Sequence, residues 1–383
     1  MNPAVEVRGS QALQDEVRAR GLCTACGACV GICPYHVAYR GRVVTLDDCT
    51  LPQGRCYAFC PRTPLDLDIL SRTVFGTPYA SNGLGTAREV LMSRAADVDL
   101  RARAQHGGTV SALVGFALRT GLIDTAILTA SDGTMLPGGR AVHDETGVSG
   151  CAGSNFVASS TLEAFNRAVA GDTGRVGVVA TPCQALALAK MRASPLENRN
   201  NIDKLQLVVG LFCNWALKYE DFAAFLAKNV ALDRVVRVEV PPPPSNVLEV
   251  HTASDRVAIP LDDVRPFIRT TCRACLDLTA EFADVAVGAA EGVEGWNTLI
   301  VRTDAGAKLV EAARTAGVLE TAPLPVANLQ HLKEAVLLKR KRGLATIVET
   351  TGSESDLLYM EPSREALGGL LVRARPSQRA SRS

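Results

Sequence analysis

The chain has 383 residues, 47% of them apolar and 21% charged, and its 41 Lys and Arg nearly balance 40 Asp and Glu. That length supports two or three domains with a full core, and the even charge leaves no global field suited to nucleic acid or an anionic membrane. No apolar run reaches the roughly 18 residues of a membrane span, and the opening MNPAVEVRGSQALQDE is polar and mixed, so the expectation is a soluble, cytoplasmic protein with no transmembrane segment.

Twelve cysteines in a reducing compartment read first as metal ligands or redox groups rather than disulfides. Seven of them fall between Cys23 and Cys60. Residues 1–70 are short on periodic segments and rich in Cys, Gly and Pro, as in a small terminal domain that metal holds together, largely independent of the rest of the chain. Within it, Cys23-Thr-Ala-Cys26-Gly-Ala-Cys29-Val-Gly-Ile-Cys33-Pro34 has the C-x2-C-x2-C-x3-C-P spacing of bacterial ferredoxins. Three thiolates so spaced can wrap one cubane, and the fourth, turned away before Pro34, ligates a different cluster. Gly27 and Gly31 permit the tight turns. Zinc sites pair C-x2-C knuckles set well apart, which favours iron–sulfur over zinc or redox thiols. A variant half comes next at Cys49, Cys56 and Cys60, where Cys60 would complete the cluster of Cys23, Cys26 and Cys29. Cys33, Cys49 and Cys56 are then one ligand short. That second cluster is 3Fe–4S, or 4Fe–4S with a non-cysteine or distant ligand, or absent, with Cys49 or Cys56 a bystander.

From about residue 71 the texture changes. Gly107 and Gly108 open a helix-like apolar run, TVSALVGFALRTG, and IDTAILTA then reads as a buried strand. Further strands are expected at 175–181, 205–212, 283–288 and 298–302, with helices at 159–170, 183–193, 218–229 and 306–316. This alternation predicts an α/β core of two subdomains, 71–170 and 171–345, with a mostly parallel sheet, behind a small N-terminal ferredoxin-like iron–sulfur domain. Residues 235–260 interrupt it. VVRVEV, Pro241 to Pro244, NVLEVHT and RVAIPL read as a β-hairpin insertion, its proline run an exposed stiff spacer. Residues 346–383 form a C-terminal extension whose last dozen residues, with Arg373, Arg375, Arg379 and Arg382 among Ser and Pro, read as a disordered tail.

Four further cysteines stand at the ends of predicted strands: Cys183 in Ala180-Thr181-Pro182-Cys183, Cys213 in Gly210-Leu211-Phe212-Cys213, and the pair in Cys272-Arg273-Ala274-Cys275. Strand ends of α/β sheets gather residues distant in sequence around one site. Four thiolates converging there would hold another 4Fe–4S cluster, and isolated buried core cysteines are the plainer alternative. The ordered blocks GGTVSALVGFALRTGLIDTAIL, ATPCQALALAK, GLFCNW, CRACLDLTAEFADVAVG and GWNTLIVRT resemble one family over about residues 72–342. It is the beta subunit of the deazaflavin-coenzyme-reducing hydrogenase and formate dehydrogenase of methanogens, shared by plant 7-hydroxymethyl chlorophyll a reductase and the ferredoxin-dependent divinyl reductase of bacteriochlorophyll-making bacteria. The resemblance implies FAD in a cleft between two α/β subdomains, with a 4Fe–4S cluster beside it. Carried across, it makes Cys183, Cys213, Cys272 and Cys275 the cluster ligands. It likewise makes Gly107, Gly108, Thr109 and Ser111 the helix start that approaches the flavin, with Ser154, Asn155 and Thr181 lining the cofactor site. A glycine-led helix N-terminus offers N–H groups and a positive dipole end to phosphate or reduced flavin, although a Gly-Gly-Thr is equally an ordinary helix start.

Cys151 reads as a small apolar filler, and His36 and His143 as satisfied or exposed histidines. His106, beside the glycine pair, is the candidate catalytic proton donor. No Ser/His/Asp or Cys/His nucleophilic set appears, so the expected chemistry is redox, with two or three clusters and FAD. An electron-transfer subunit would link a deazaflavin or nicotinamide coenzyme, or ferredoxin, to a redox metalloenzyme subunit in a hetero- or homo-oligomer. A self-contained reductase would take electrons from ferredoxin and reduce a small organic substrate, and an iron–sulfur scaffold or sensor is the non-enzymatic reading. The subunit reading is preferred, because a ferredoxin-like head adds wire rather than substrate selectivity.

Overall fold

The computed structural model describes residues 6–80, 82–131, 135–241, 245–354 and 356–361. Pro242 to Pro244 and the arginine-bearing tail lie outside these residues. The N-terminal module has little regular structure. A turn of helix, Ser10–Leu13, runs into Gln14–Arg18, strands β1 (His36–Tyr39) and β2 (Arg42–Thr45) form a hairpin, and Arg55–Ala58 adds one helical turn. The short strand β3 (Leu65–Asp66) then leads into the helix Leu67–Phe75, which Asp66 caps by accepting from the N–H groups of Asp68 and Ile69.

The core is a three-layer α/β sandwich around one eight-stranded sheet. Its strands are β4 (Glu89–Ala95), β5 (Thr125–Ser131), β6 (Pro137–Val142), β7 (Val176–Ala180) and β8 (Leu205–Leu211). After the insertion strands β9 (Val235–Glu239), β10 (Val247–Thr252) and β11 (Arg256–Pro260) come β12 (Val285–Ala289), β13 (Asn297–Val301) and β14 (Leu319–Pro323). The sheet order is β14-β4-β13-β12-β8-β7-β5-β6. Strands β12, β8, β7 and β5 pair in parallel, and the remaining pairings are antiparallel. Five of the eight strands, β4, β5, β7, β8 and β12, therefore point the same way. The central strands are buried on both faces, which is why VGVVA and LQLVVGL read as near-continuous apolar runs.

Alternate residues serve opposite layers. Val176, Val178 and Ala180 pack with the helices Thr161–Ala170, Pro182–Ala193 and Val326–Thr351, whereas Val179, Leu207 and Val209 pack with Thr109–Arg119 and Asp304–Thr315. Residues 71–170 and 171–345, expected as two subdomains, share this one sheet, because β4 lies between β13 and β14.

Two expectations need correction. The insertion is a three-stranded antiparallel meander, β11-β10-β9, rather than a hairpin, because RVAIPL pairs back on β10 from Val247 to His251. The N-terminal module is also not independent of the sheet domain. Cys26 and Ala28 share one hydrophobic cluster with Leu162 and Phe165, and Phe59, wholly buried, belongs to the same cluster. The Leu162 N–H donates to the Cys26 carbonyl at 3.0 Å, and Asn166 Nδ2 donates to the carbonyls of Gly27, Ala28 and Val30 at 3.2, 3.2 and 2.6 Å. From the other end of the chain, β15 (Met360–Glu361) pairs in parallel with β3 and closes the structure over the module. Among the described residues, no helix is long and apolar enough to cross a membrane.

Candidate metal centres

The loop from Cys23 to Cys33 is shaped by backbone that turns left-handed at Ala25 (φ 57°), Gly27 (φ 87°) and Gly31 (φ 81°). Only glycine fits at 27, where a Cβ would stand 2.6 Å from the Ser160 carbonyl oxygen and 2.7 Å from the Glu163 nitrogen. This coiling turns amides toward sulfur: Ala25 N–H donates to Cys23 Sγ and Tyr35 N–H to Cys33 Sγ, both at 3.4 Å. Such bonds stabilise thiolate and tune iron–sulfur potentials.

The other thiols rest on the sheet. Cys183 follows β7 in the first turn of the helix Pro182–Ala193, Cys213 follows β8, and Cys272 and Cys275 flank the end of the short helix Thr270–Arg273. The carboxyl ends of two adjacent parallel strands thus bring Cys183 and Cys213 together. The Ala216 N–H donates to Cys272 Sγ at 3.4 Å, and the hydroxyl of Thr181 lies 3.4 Å from Cys183 Sγ.

Neighbouring thiols place the eleven cysteines in three adjoining neighbourhoods, with the boundary at Cys26, which feels Cys183 more than Cys60. Cys29 feels Cys23 and Cys60, and Cys60 also acts on Cys26. Cys56 feels Cys33 and Cys49. Cys213 feels Cys272, Cys183 and Cys275. The sets adjoin in one order, because Cys29 also senses Cys56 and Cys26 senses Cys183. Burial, reinforced by neighbouring thiols, pushes Cys56, Cys60 and Cys272 up to about 11 and Cys29 and Cys213 higher still. Cys275 is the exception: burial raises it, but Lys339 and Arg62 bring it below the ordinary thiol value.

Clustered, buried, mutually repelling thiols suit a cationic metal core. Four sulfurs on one zinc at 2.3 Å would lie ~3.8 Å apart. Among the described residues no three of these thiols lie within 4.8 Å of one another, so no set is drawn in as closely as a single tetrahedral ion would require.

The helix start expected to meet a flavin is more enclosed than the motif suggests. Gly108, at φ 74°, begins the helix Thr109–Arg119, and a Cβ on Gly107 would stand 2.7 Å from Asn297 Oδ1. Thr109 is wholly buried, its hydroxyl 2.9 Å from Ser93 Oγ and its N–H donating to Asn297 Oδ1 at 3.3 Å. Thr109 thus locks the helix to β4 and β13. Ser111 stays half-exposed on that first turn. Ser154 hydrogen-bonds Gln105, next to His106, and Ser131 donates to Asn155 Oδ1 at 3.0 Å, so the loops around 105 and 154 meet. His106 is half-buried, burial lowering its pKa while Glu239 of the insertion raises it. Thr181 belongs with the strand-end thiols, its N–H donating to Gln184 Oε1 at 2.9 Å.

Cys151 packs at the edge of the layer under Thr109–Arg119, and the His143 ring meets Thr125 Oγ1 at 3.1 Å. His36, expected to be satisfied or exposed, is buried. Its Nδ1 lies 3.2 Å from Arg18 while Nε2 has no hydrogen-bond partner among the described residues, and burial, with Arg18, takes its pKa down to about 4.

Three buried cations beside the thiols, Arg62, Lys190 and Lys339, went unread in the sequence. Arg62 could have been suspected from its place two residues after Cys60. Lys339 could not, because the charged helix Val326–Thr351 gave no apolar period. Glu239, Glu249 and His251 also come together across β9 and β10, visible only once the Glu239–Glu249 register is known.

Comparison with known proteins agrees with this architecture. The family described as coenzyme F420 hydrogenase/dehydrogenase beta subunit matches through its N-terminal part at residues 90–166 and its C-terminal part at 173–326. The coenzyme F420 hydrogenase subunit beta of Methanothermobacter thermautotrophicus is 30% identical over 244 residues, 63% of this chain and 86% of its own. The coenzyme F420-dependent sulfite reductase of Methanocaldococcus jannaschii is 26% identical over 344 residues, 86% of this chain but 50% of that protein. A chain of the F420-reducing NiFe hydrogenase complex of Methanosarcina barkeri superposes with a TM-score of 0.65 at 25% identity, over 70% of this chain and 93% of that one. On the fold, the strand-end site and these matches together, the chain belongs to the coenzyme F420 hydrogenase/dehydrogenase beta-subunit family, whose members are oxidoreductase subunits.

Proposed function

We propose that the chain is an electron-transfer subunit that joins a two-electron coenzyme, coenzyme F420 or a nicotinamide, to a redox metalloenzyme partner or ferredoxin. The observation that carries this reading is the contiguous order of the three cysteine sets, joined where Cys29 meets Cys56 and where Cys26 meets Cys183. Cys23, Cys26, Cys29 and Cys60 would hold one 4Fe–4S cluster, and Cys183, Cys213, Cys272 and Cys275 another. Cys33, Cys49 and Cys56 would hold a third, of 3Fe–4S type or with a fourth ligand from elsewhere. FAD would lie against Ser111 and the loops carrying His106, Ser154 and Asn155. When bound, the clusters supply one-electron transfer and FAD converts between one- and two-electron chemistry.

The chain's own residues position and insulate. Beyond Thr109, whose N–H is taken by Asn297, the first turn of the helix Thr109–Arg119 would offer its dipole and the half-exposed Ser111 to an anionic ligand. Ser111, Ser154 and Asn155 offer hydroxyl and amide groups around it. His106, held partly out of water with its pKa lowered by burial, offers a ring nitrogen that can accept or give a proton. Phe59, Leu162 and Phe165 keep water from the junction of module and sheet.

A self-contained reductase is the second reading, favoured by the similarity over 86% of this chain to a protein named as a sulfite reductase. Anaerobic purification with metal and flavin counting tests both. Equimolar FAD, together with Cys213→Ser protein that loses about four irons and keeps the rest, supports the cofactor set. Cluster-replete protein without flavin rejects FAD. A stoichiometric metalloenzyme in the preparation favours the subunit, and turnover by the chain alone favours the reductase.

A further inference from the structure

We propose that Glu239, Glu249 and His251 form a binding site for one zinc ion on the outer face of the three-stranded insertion. The site uses no cysteine and stands apart from the cluster reading. In β10, Leu248 and Val250 turn inward to the hydrophobic cluster of Leu217, Phe222 and Val264, so the alternation of the strand sends Glu249 and His251 to the opposite face. In β9, Val238 turns inward to the same cluster and Glu239 outward. The register sets Glu239 directly opposite Glu249, and His251 directly opposite Arg237. The ladder slips immediately after His251, and such irregularities re-aim side chains.

Two carboxylates directly opposite each other on antiparallel strands repel, and a cation between them removes the penalty. Two arginines answer only part of this. Arg237 Nε lies 3.3 Å from Glu239 Oε1, and Arg256 Nη1 donates to Glu249 Oε1 at 3.2 Å, but both arginines are largely exposed and their charges screened by water. Both pairings use Oε1. The Oε2 atoms are left to His251 Nε2, which stands 3.6 Å from Glu239 and 3.4 Å from Glu249. The three ligand atoms all lie within 4.8 Å of one another.

This spacing fits a metal better than a hydrogen-bonded imidazole. An N–H donor holds a carboxylate at about 2.7–3.2 Å, and His251 Nε2, although buried, has no hydrogen-bond partner among the described residues. Ligands about 2.0 Å from a tetrahedral zinc stand ~3.3 Å apart, close to the two distances found. One imidazole with two carboxylates suits zinc, whereas magnesium and calcium prefer oxygen throughout. Three protein ligands leave the fourth position to water or another donor. The side chains of Glu239, Glu249 and His251 are 17%, 16% and 23% exposed, so an ion can enter from solvent and is then sheltered from most of it. Glu239 also acts on His106, so the site adjoins the loop that carries that histidine.

The test titrates Zn2+ into the anaerobically purified full chain, with metal counting and X-ray absorption at the zinc edge. The expected result is one zinc per chain in a shell of nitrogen and oxygen near ~2.0 Å, with iron content unchanged and binding retained in excess Mg2+. Zinc taken up by vacant thiols is told apart by sulfur at ~2.3 Å. Glu249→Gln and His251→Ala should each weaken binding at the nitrogen–oxygen site by about 100-fold or more, since even outer-shell partners are worth roughly 10–100-fold. Both should also lose the rise in melting temperature that zinc gives the unaltered protein. Zinc found only on sulfur, binding only at millimolar zinc, or an affinity unchanged in either variant would overturn the proposal. If His251→Ala fails to fold, Glu249→Gln, which keeps the shape of the side chain, decides alone.

Discussion

Cys26 and Cys183 lie within electrostatic reach of each other, yet their backbones are held in place by opposite means. Around Cys26 the chain turns left-handed at Ala25, Gly27 and Gly31, and few hydrogen bonds of its own fix the loop. Around Cys183 a fully buried strand runs into a helix through a capping box made by Thr181 and Gln184, and packing alone would hold the thiol. The N-terminal loop borrows its missing order from the sheet domain, through Asn166 and the Leu162 amide, and on our reading from metal. The comparison teaches that the two regions form one structural unit, one half ordered by what it docks against and the other by its own packing.

Cutting the halves apart should have the largest effect. Removing residues 1–70 strips Ala28, Ala58 and Phe59 from the shared core and takes Arg62 from Thr271, exposing Leu162 and Phe165. The remainder should lose cooperative thermal unfolding or precipitate, and a truncated chain melting like the whole protein would show the halves to be separable. Stripping iron anaerobically should be milder and uneven. Amides of residues 20–60 should exchange rapidly while those of β7, β8 and β12 stay protected, and equal protection throughout would break the distinction. Gly27→Ala should be smaller again, costing about 3 kcal/mol from its left-handed φ and the clash with Ser160 and Glu163. A melting temperature within a degree of the parent would contradict that close approach.

Much of this was legible in advance. The buried strands β5, β7, β8, β12 and β13 announced themselves as apolar runs, and the helices between them by their period. The edge strands β6 and β14 did not, because one mixes Gly with Arg and the other exposes polar residues between apolar ones. The helix Val326–Thr351 was missed because charged residues surround it on most sides, yet it carries Lys339 and Arg340 to the site. Cysteine spacing marked Cys23 to Cys33 as one loop, and strand order brings Cys183 and Cys213 to the ends of adjacent strands. It could not show that the module is fused to the sheet, because that depends on Asn166 and Phe165, ordinary residues of an ordinary helix. Nor could it show that Thr109 is sealed, which needs the close packing of Gly107 on β4.

The central claim is that the cysteine sets form one continuous path through Cys26 and Cys183. Electron paramagnetic resonance of the fully reduced, iron-replete chain tests it most directly. The account predicts signals split or broadened by magnetic coupling between the module and the strand-end set, collapsing in Cys213→Ser to a simpler spectrum from the module alone. Sharp, independent signals that Cys213→Ser merely subtracts from would contradict it.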